Sequence, residues 1–164
     1  MASRAFDLAG DLKDVIAAFY DDPTSGLSLP ERRLVTIGLP AADCELFAVA
    51  VESIVPITGT ADATTIGSDR DEVAFYMRAL VVGLWVLRCV PGLNDRGEIP
   101  TVAEEEDAAE LILSDATNME LALTQGLDDG VLPGCGGFAF IGWESITAEG
   151  YLGGGVLRCQ VSIE

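Results

Sequence analysis

The chain has 164 residues, with 27 Asp or Glu against nine Lys or Arg, no histidine, and a formal net charge of -18. Lack of histidine removes the one side chain that titrates near neutrality and the commonest metal ligand, while the acidic excess opposes binding to a phosphate backbone. Hydrophobic residues make up 49% of the chain, enough to build the core of one domain of ordinary size, so global disorder is excluded.

Leu8, Leu12, Val15, Ile16 and Phe19 recur at helical spacing among Asp11, Lys13 and Asp14, which predicts an amphipathic helix over residues 5–20. Asp21, Asp22, Pro23 and Gly26 stop it and lead into a turn-rich connection. From Arg32 the pattern becomes β-like: residues 32–37 and 44–55 read as neighbouring strands joined through 39–43. Residues 57–72 are rich in Gly, Thr, Ser and Asp and show no periodicity, which predicts a long exposed loop, the first place to look for a partner contact. Residues 73–90 alternate, with Phe75, Met77, Val81, Trp85 and Leu87 on one face. As a strand this segment would run to roughly 60 Å, more than a small domain needs, unless Gly83 bends it or one end projects.

Pro100 and Thr101 precede Glu104 in a Thr-x-x-Glu capping box, and Glu105, Glu106 and Asp107 add charge that suits the positive end of a helix. The stripe Ala108, Ile112, Ala116, Met119 and Leu123, with Leu111 and Ala122 beside it, faces a sheet, and Gly126 ends the helix. Residues 138–147 and 152–163 close the chain as a pair of strands, with Gly153, Gly154 and Gly155 supplying a bulge or a close backbone approach. The expected class is α+β: a mainly antiparallel sheet with two helices packed on one face, in the order α-β-β-β-α-β-β, forming a single domain over 1–164.

The four cysteines, Cys44, Cys89, Cys135 and Cys159, include no CxxC pair and no dense framework, so they read as reduced core thiols of an intracellular protein. Asp7, Asp11 and Asp14 interrupt the N-terminal stretch where a signal peptide needs an apolar run, and the longest apolar run, residues 79–87, falls well short of the roughly 20 residues of a spanning helix, which argues for a soluble protein. Walker, Rossmann, nucleophile-elbow and zincin signatures are absent from the sequence. No catalytic, cofactor-binding or metal-binding residue is therefore predicted. A small carboxylate-dependent enzyme and a monomeric acidic binding module remain as readings of another class. Arg32, Arg33, Arg78, Arg88 and Arg158 are candidate subunit-interface residues, because guanidinium pairs bidentately with a neighbour's carboxylate. Thr60, Asp62, Thr64, Gly67 and Asp69 are the candidate partner loop.

Residues 33–49 (RLVTIGLPAADCELFAV), the phrase Arg88-Cys89-Val90-Pro91 followed by Asp95-Arg96-Gly97 and Pro100, and the closing glycine-rich strand (YLGGGVLRCQVSI) resemble head-to-tail connector proteins of tailed actinobacteriophages. The α-β-β-β-α-β order is similar to that of a tail terminator. The resemblance covers roughly residues 30–163 and implies a non-enzymatic virion protein that forms a homo-hexameric ring, caps the tail tube and joins it to the neck. Its implied partners are itself, the major tail tube protein and neck or connector proteins. DNA would pass through the ring without specific binding, no membrane is involved, and assembly takes place in the host cytoplasm. A stopper or another tail completion protein is the neighbouring alternative.

Overall fold

In a computed structural model the chain forms α1 (Ala2–Tyr20), β1 (Arg32–Ile37), β2 (Leu46–Thr60), β3 (Ala74–Cys89), α2 (Val102–Asp128), β4 (Cys135–Glu149) and β5 (Leu152–Ile163). The described residues are 2–41, 43–60, 74–93, 97–149 and 151–163. The strands make one five-stranded sheet in the order β1-β2-β3-β5-β4. The α+β class and the element order are those expected. Three of the four pairings are antiparallel, and β1 runs parallel to β2.

That parallel pair is unusual in its connection. A parallel return ordinarily needs a dozen or more residues, often a helix. Here residues 38–45 carry the chain back, since Ile37 pairs with Val51 and Arg32 with Leu46. Extended chain of that length reaches about 27 Å against about 20 Å for the strand, so the return is feasible but has little slack. Gly38 starts it at φ 73°, and Glu45 ends it at φ 57°, the one described non-glycine residue at positive φ.

Alternation decides what each face holds. Phe47 and Val49 of β2, Leu80, Val82, Leu84 and Val86 of β3, and Leu157, Cys159 and Val161 of β5 point to one side. Leu8, Leu12 and Ile16 of α1 and Met119, Ala122 and Leu123 of α2 close over them to form the main core. On the other side Leu46, Ala48 and Leu87 make a small second cluster with Leu34, Trp85, Ile146 and Leu152 against it.

Glycines set how closely the layers approach. A side chain on Gly154 would place its first carbon 2.0 Å from the Val86 carbonyl oxygen, and on Gly155 2.1 Å from the Trp143 ring. The glycine run permits that close approach, and the β4–β5 register also shifts opposite it, between Ile146 and Glu149. Gly126 has a different task from the one its position suggested: α2 runs on to Asp128, and Gly126 lies buried where an added carbon would stand 2.5 Å from Val15 of α1. It permits the helices to cross closely rather than ending one of them.

The helix stripe runs along α2 and deepens towards its C-terminal half: Ala108, Ile112 and Ala116 are half-buried and Met119, Ala122 and Leu123 buried, whereas the flanking Leu111 is exposed. The expected capping box at its start is present, with the Glu104 amide donating to Thr101 Oγ1 at 3.3 Å and the Thr101 amide donating to Glu104 Oε2 at 2.8 Å.

Candidate interaction surface

β2 and β3 outrun the sheet. Arg78 is the last β3 residue held on both sides, opposite Pro56 of β2 and Ile163 of β5. Beyond it, residues 57–60 pair only with 74–77, so the hairpin leaves the sheet as a two-stranded arm. Both outer edges of that arm carry backbone donors and acceptors that no third described strand meets. The loop expected over 57–72 therefore begins later, because 57–60 belong to β2. Alternation failed as a signal there, since Pro56, Gly59 and three Thr residues at 58, 60 and 64 read as loop composition. Thr60 is the last residue of β2, while Asp62, Thr64, Gly67 and Asp69 lie outside the described residues.

The five candidate arginines divide sharply. Arg88, on the helix-facing side of β3, is 5% exposed and belongs to the interior. Its Nε and Nη2 donate to the two carboxylate oxygens of Asp115 at 2.7 and 2.8 Å, and Nη2 also donates to the Ser28 carbonyl at 2.7 Å. Tyr20 Oη donates to Asp115 Oδ1 at 3.1 Å. One buried cluster thus ties α1, α2, β3 and the segment before β1 together. Burial opposes the Arg88 charge, and its hydrogen bonds to Asp115 and the carboxylate's field override that, holding the guanidinium above its ordinary value. Burial, then the Asp115 charge and hydrogen bond, push the Tyr20 phenol far up. An intermolecular contact is not available to Arg88, and its expected interface role is corrected on that ground.

Arg33 is held bidentately by Asp21 at 2.6 and 2.8 Å, which draws the Asp21 carboxyl below its ordinary range, and Arg32 meets Asp43 at 2.7 Å. Arg158 sits on the face of the sheet away from the helices, opposite Gly83 on one side and Gly142 on the other. Over those gaps it reaches Glu52 of β2 at 3.1 Å and Glu144 of β4. Glu144, adjacent in sequence to Trp143, is thereby a partner of Arg158 and not of the indole, whose Nε1 donates to Ser145 at 3.2 Å. Arg78 is exposed at the root of the arm.

Two of the four cysteines are joined. Cys44 and Cys89 form a disulfide with Cα atoms 4.9 Å apart, which overturns the expectation of four reduced thiols; Cys135 and Cys159 are buried thiols. The signal was in the register. Leu46 pairs with Leu87, so two residues further out Cys44 falls opposite Cys89. Their separation of 45 along the chain hid it. The buried Asp115 was also missed, although it lies within the apolar stripe of α2, just as Arg88 ends an apolar run.

Among the described residues no group of three or more Cys, Asp or Glu is placed to hold a metal ion, and no helix is long and apolar enough to cross a membrane. Comparison of the chain with protein-family models and with curated proteins finds no match.

Proposed function

We propose that the protein is a structural subunit of a tailed bacteriophage virion, a tail terminator-like protein that assembles into a hexameric ring between tail tube and neck. The projecting β2–β3 arm carries this reading. A lone two-stranded hairpin is at best marginally stable in water, and exposed strand edges invite pairing with another chain. An arm of this kind is consistent with a subunit whose fold is completed by its neighbours. The resemblance of residues 33–49, 88–100 and 151–163 to connector proteins supplies the family, and a stopper or tail completion protein would use the same arm in the same way. The acidic surface suits a channel through which DNA slides, because like charge repels the phosphate backbone.

Mass measurement in solution and negative-stain electron microscopy test the assembly. Rings of six are expected for the intact chain. A variant in which residues 57–77 are replaced by Asn-Gly, joining Pro56 to Arg78 through a tight turn, should fold as a monomer and form no rings. A strictly monomeric intact chain in the presence of the tail tube protein, or rings formed equally well without the arm, would overturn the proposal.

A further inference from the structure

An open groove of about 700 Å3 lies between the C-terminal halves of α1 and α2. Its existence follows from the helix crossing. Gly126 brings α2 down onto Val15, and beyond that contact the chain leaves α1 through the 21–25 turn and α2 through Asp129, so the helix ends stand apart around a trough. Val15, Ala18, Phe19, Ala122 and Val131 supply its apolar lining, and Val131 is 54% exposed despite its chemistry.

Four aspartates share that lining: Asp11 and Asp14 from α1, Asp22 from the turn and Asp129 at the end of α2. Lys13 pairs with Asp14 at 3.0 Å. Among the described residues no cation pairs with Asp11, Asp22 or Asp129. Asp22 accepts from the Thr24 amide and hydroxyl at 2.7 Å, which fixes its carboxylate at the rim and holds it below its ordinary range, so it is ionised at neutral pH. A lining that combines apolar side chains with carboxylates is complemented by an occupant that is both apolar and basic.

We infer that this groove docks a basic, amphipathic segment of a partner protein, laying apolar side chains on Phe19 and Val131 and Lys or Arg side chains against Asp11, Asp22 and Asp129. A second copy of this chain is a poor occupant. Its net charge is -18, and Arg32, Arg33, Arg88 and Arg158 already pair with its own carboxylates. A small apolar ligand is poorer still, because pockets for such ligands enclose most of their surface and this trough is open to solvent. Helix-in-groove recognition combines apolar anchors at helical spacing with flanking charge, and both halves of that complement are present. The inference stands apart from ring assembly, since the groove lies on the helix layer and the arm leaves the sheet.

The test uses the intact protein and a fluorescein-labelled 18-residue Leu/Lys peptide patterned as an amphipathic helix, followed by fluorescence anisotropy at 50 and 300 mM NaCl. An all-Lys/Ser peptide of equal charge separates docking from attraction of any polycation. The Leu/Lys peptide should bind at least tenfold more tightly than the Lys/Ser peptide. Asp11→Asn with Asp129→Asn should weaken it about tenfold, the loss expected when two rim charges go. Glu105→Gln with Glu106→Gln removes the same charge from the exposed start of α2 and should change affinity less than twofold. Ala18→Trp, at an exposed position in the lining, should block binding and leave the circular dichroism spectrum unchanged. Equal affinity for the two peptides, equal loss in the two double variants, or undiminished binding to Ala18→Trp would each overturn the inference.

Discussion

Asp115 is the residue on which the helix layer depends, because it satisfies Arg88 and Tyr20 at once in a site only 1% exposed. Removing one partner of a buried ion pair leaves the other charge stranded, so Asp115→Ala should lower stability by about 3–5 kcal/mol in urea unfolding. Arg88→Met combined with Asp115→Leu should recover most of that loss, since an apolar pair of similar volume has no stranded charge. A double variant as unstable as the single one would show that the cluster itself holds the fold. The cysteines separate by the same measure. Thiol titration in denaturant should find two reactive groups of the four cysteines. Replacing Cys44 and Cys89 together by Ser should cost up to about 4 kcal/mol, as expected for opening a loop of 45 residues. Burial, with Cys135 adding to it, pushes the Cys159 thiol up from 9.0 to about 12. The unfolded chain releases that proton first, so the contribution is complete below pH 9 and lost as pH rises towards 12. Urea midpoints between pH 8 and 10 should therefore fall, and fall less steeply in Cys159→Ala.

At the scale of elements, each of the seven segments could be located from the sequence because apolar spacing and turn residues mark them independently of what they pack against. The boundaries that moved did so for tertiary reasons. Gly126 lies inside α2 because Val15 sits where a side chain would go, and β2 continues through 57–60 because β3 pairs with it there. Strand direction was beyond reach: nothing in residues 38–45 distinguishes a parallel return from a hairpin turn. Of the candidate site, the excess length of 73–90 did announce the arm, whereas arginine chemistry alone could not tell Arg88, sealed by Asp115, from Arg78 at the surface. The glycines yield a graded expectation. Gly154→Ala should cost at least about 2 kcal/mol, because the new carbon meets the Val86 carbonyl and φ is 154°. Gly130→Ala, at φ 69° with open space around it, should cost only about 1 kcal/mol. Equal losses would mean that the β3–β5 approach is looser than described.

For the whole molecule, charge sets the terms of association. Copies of the chain at -18 repel one another, and Arg32, Arg33, Arg88 and Arg158 are engaged within their own chain. Screening over a Debye length of about 10 Å at 0.1 M should consequently promote the proposed rings, so light scattering should grow from 0.05 to 1 M NaCl. Dissociation with salt would show that ion pairs between subunits carry the contact. The disulfide and the arm stand at opposite ends of the same hairpin, with Cys44–Cys89 beyond the Leu46–Leu87 pair and residues 57–60 at the far end. That arrangement has a mechanical meaning. A pull on the arm along its axis cannot slide β2 past β3, because their roots are covalently joined, and the load passes as shear into the ladder that β3 shares with β5. Reduction would unlock that joint, and the arm would then yield at lower force while the sheet behind it stayed folded.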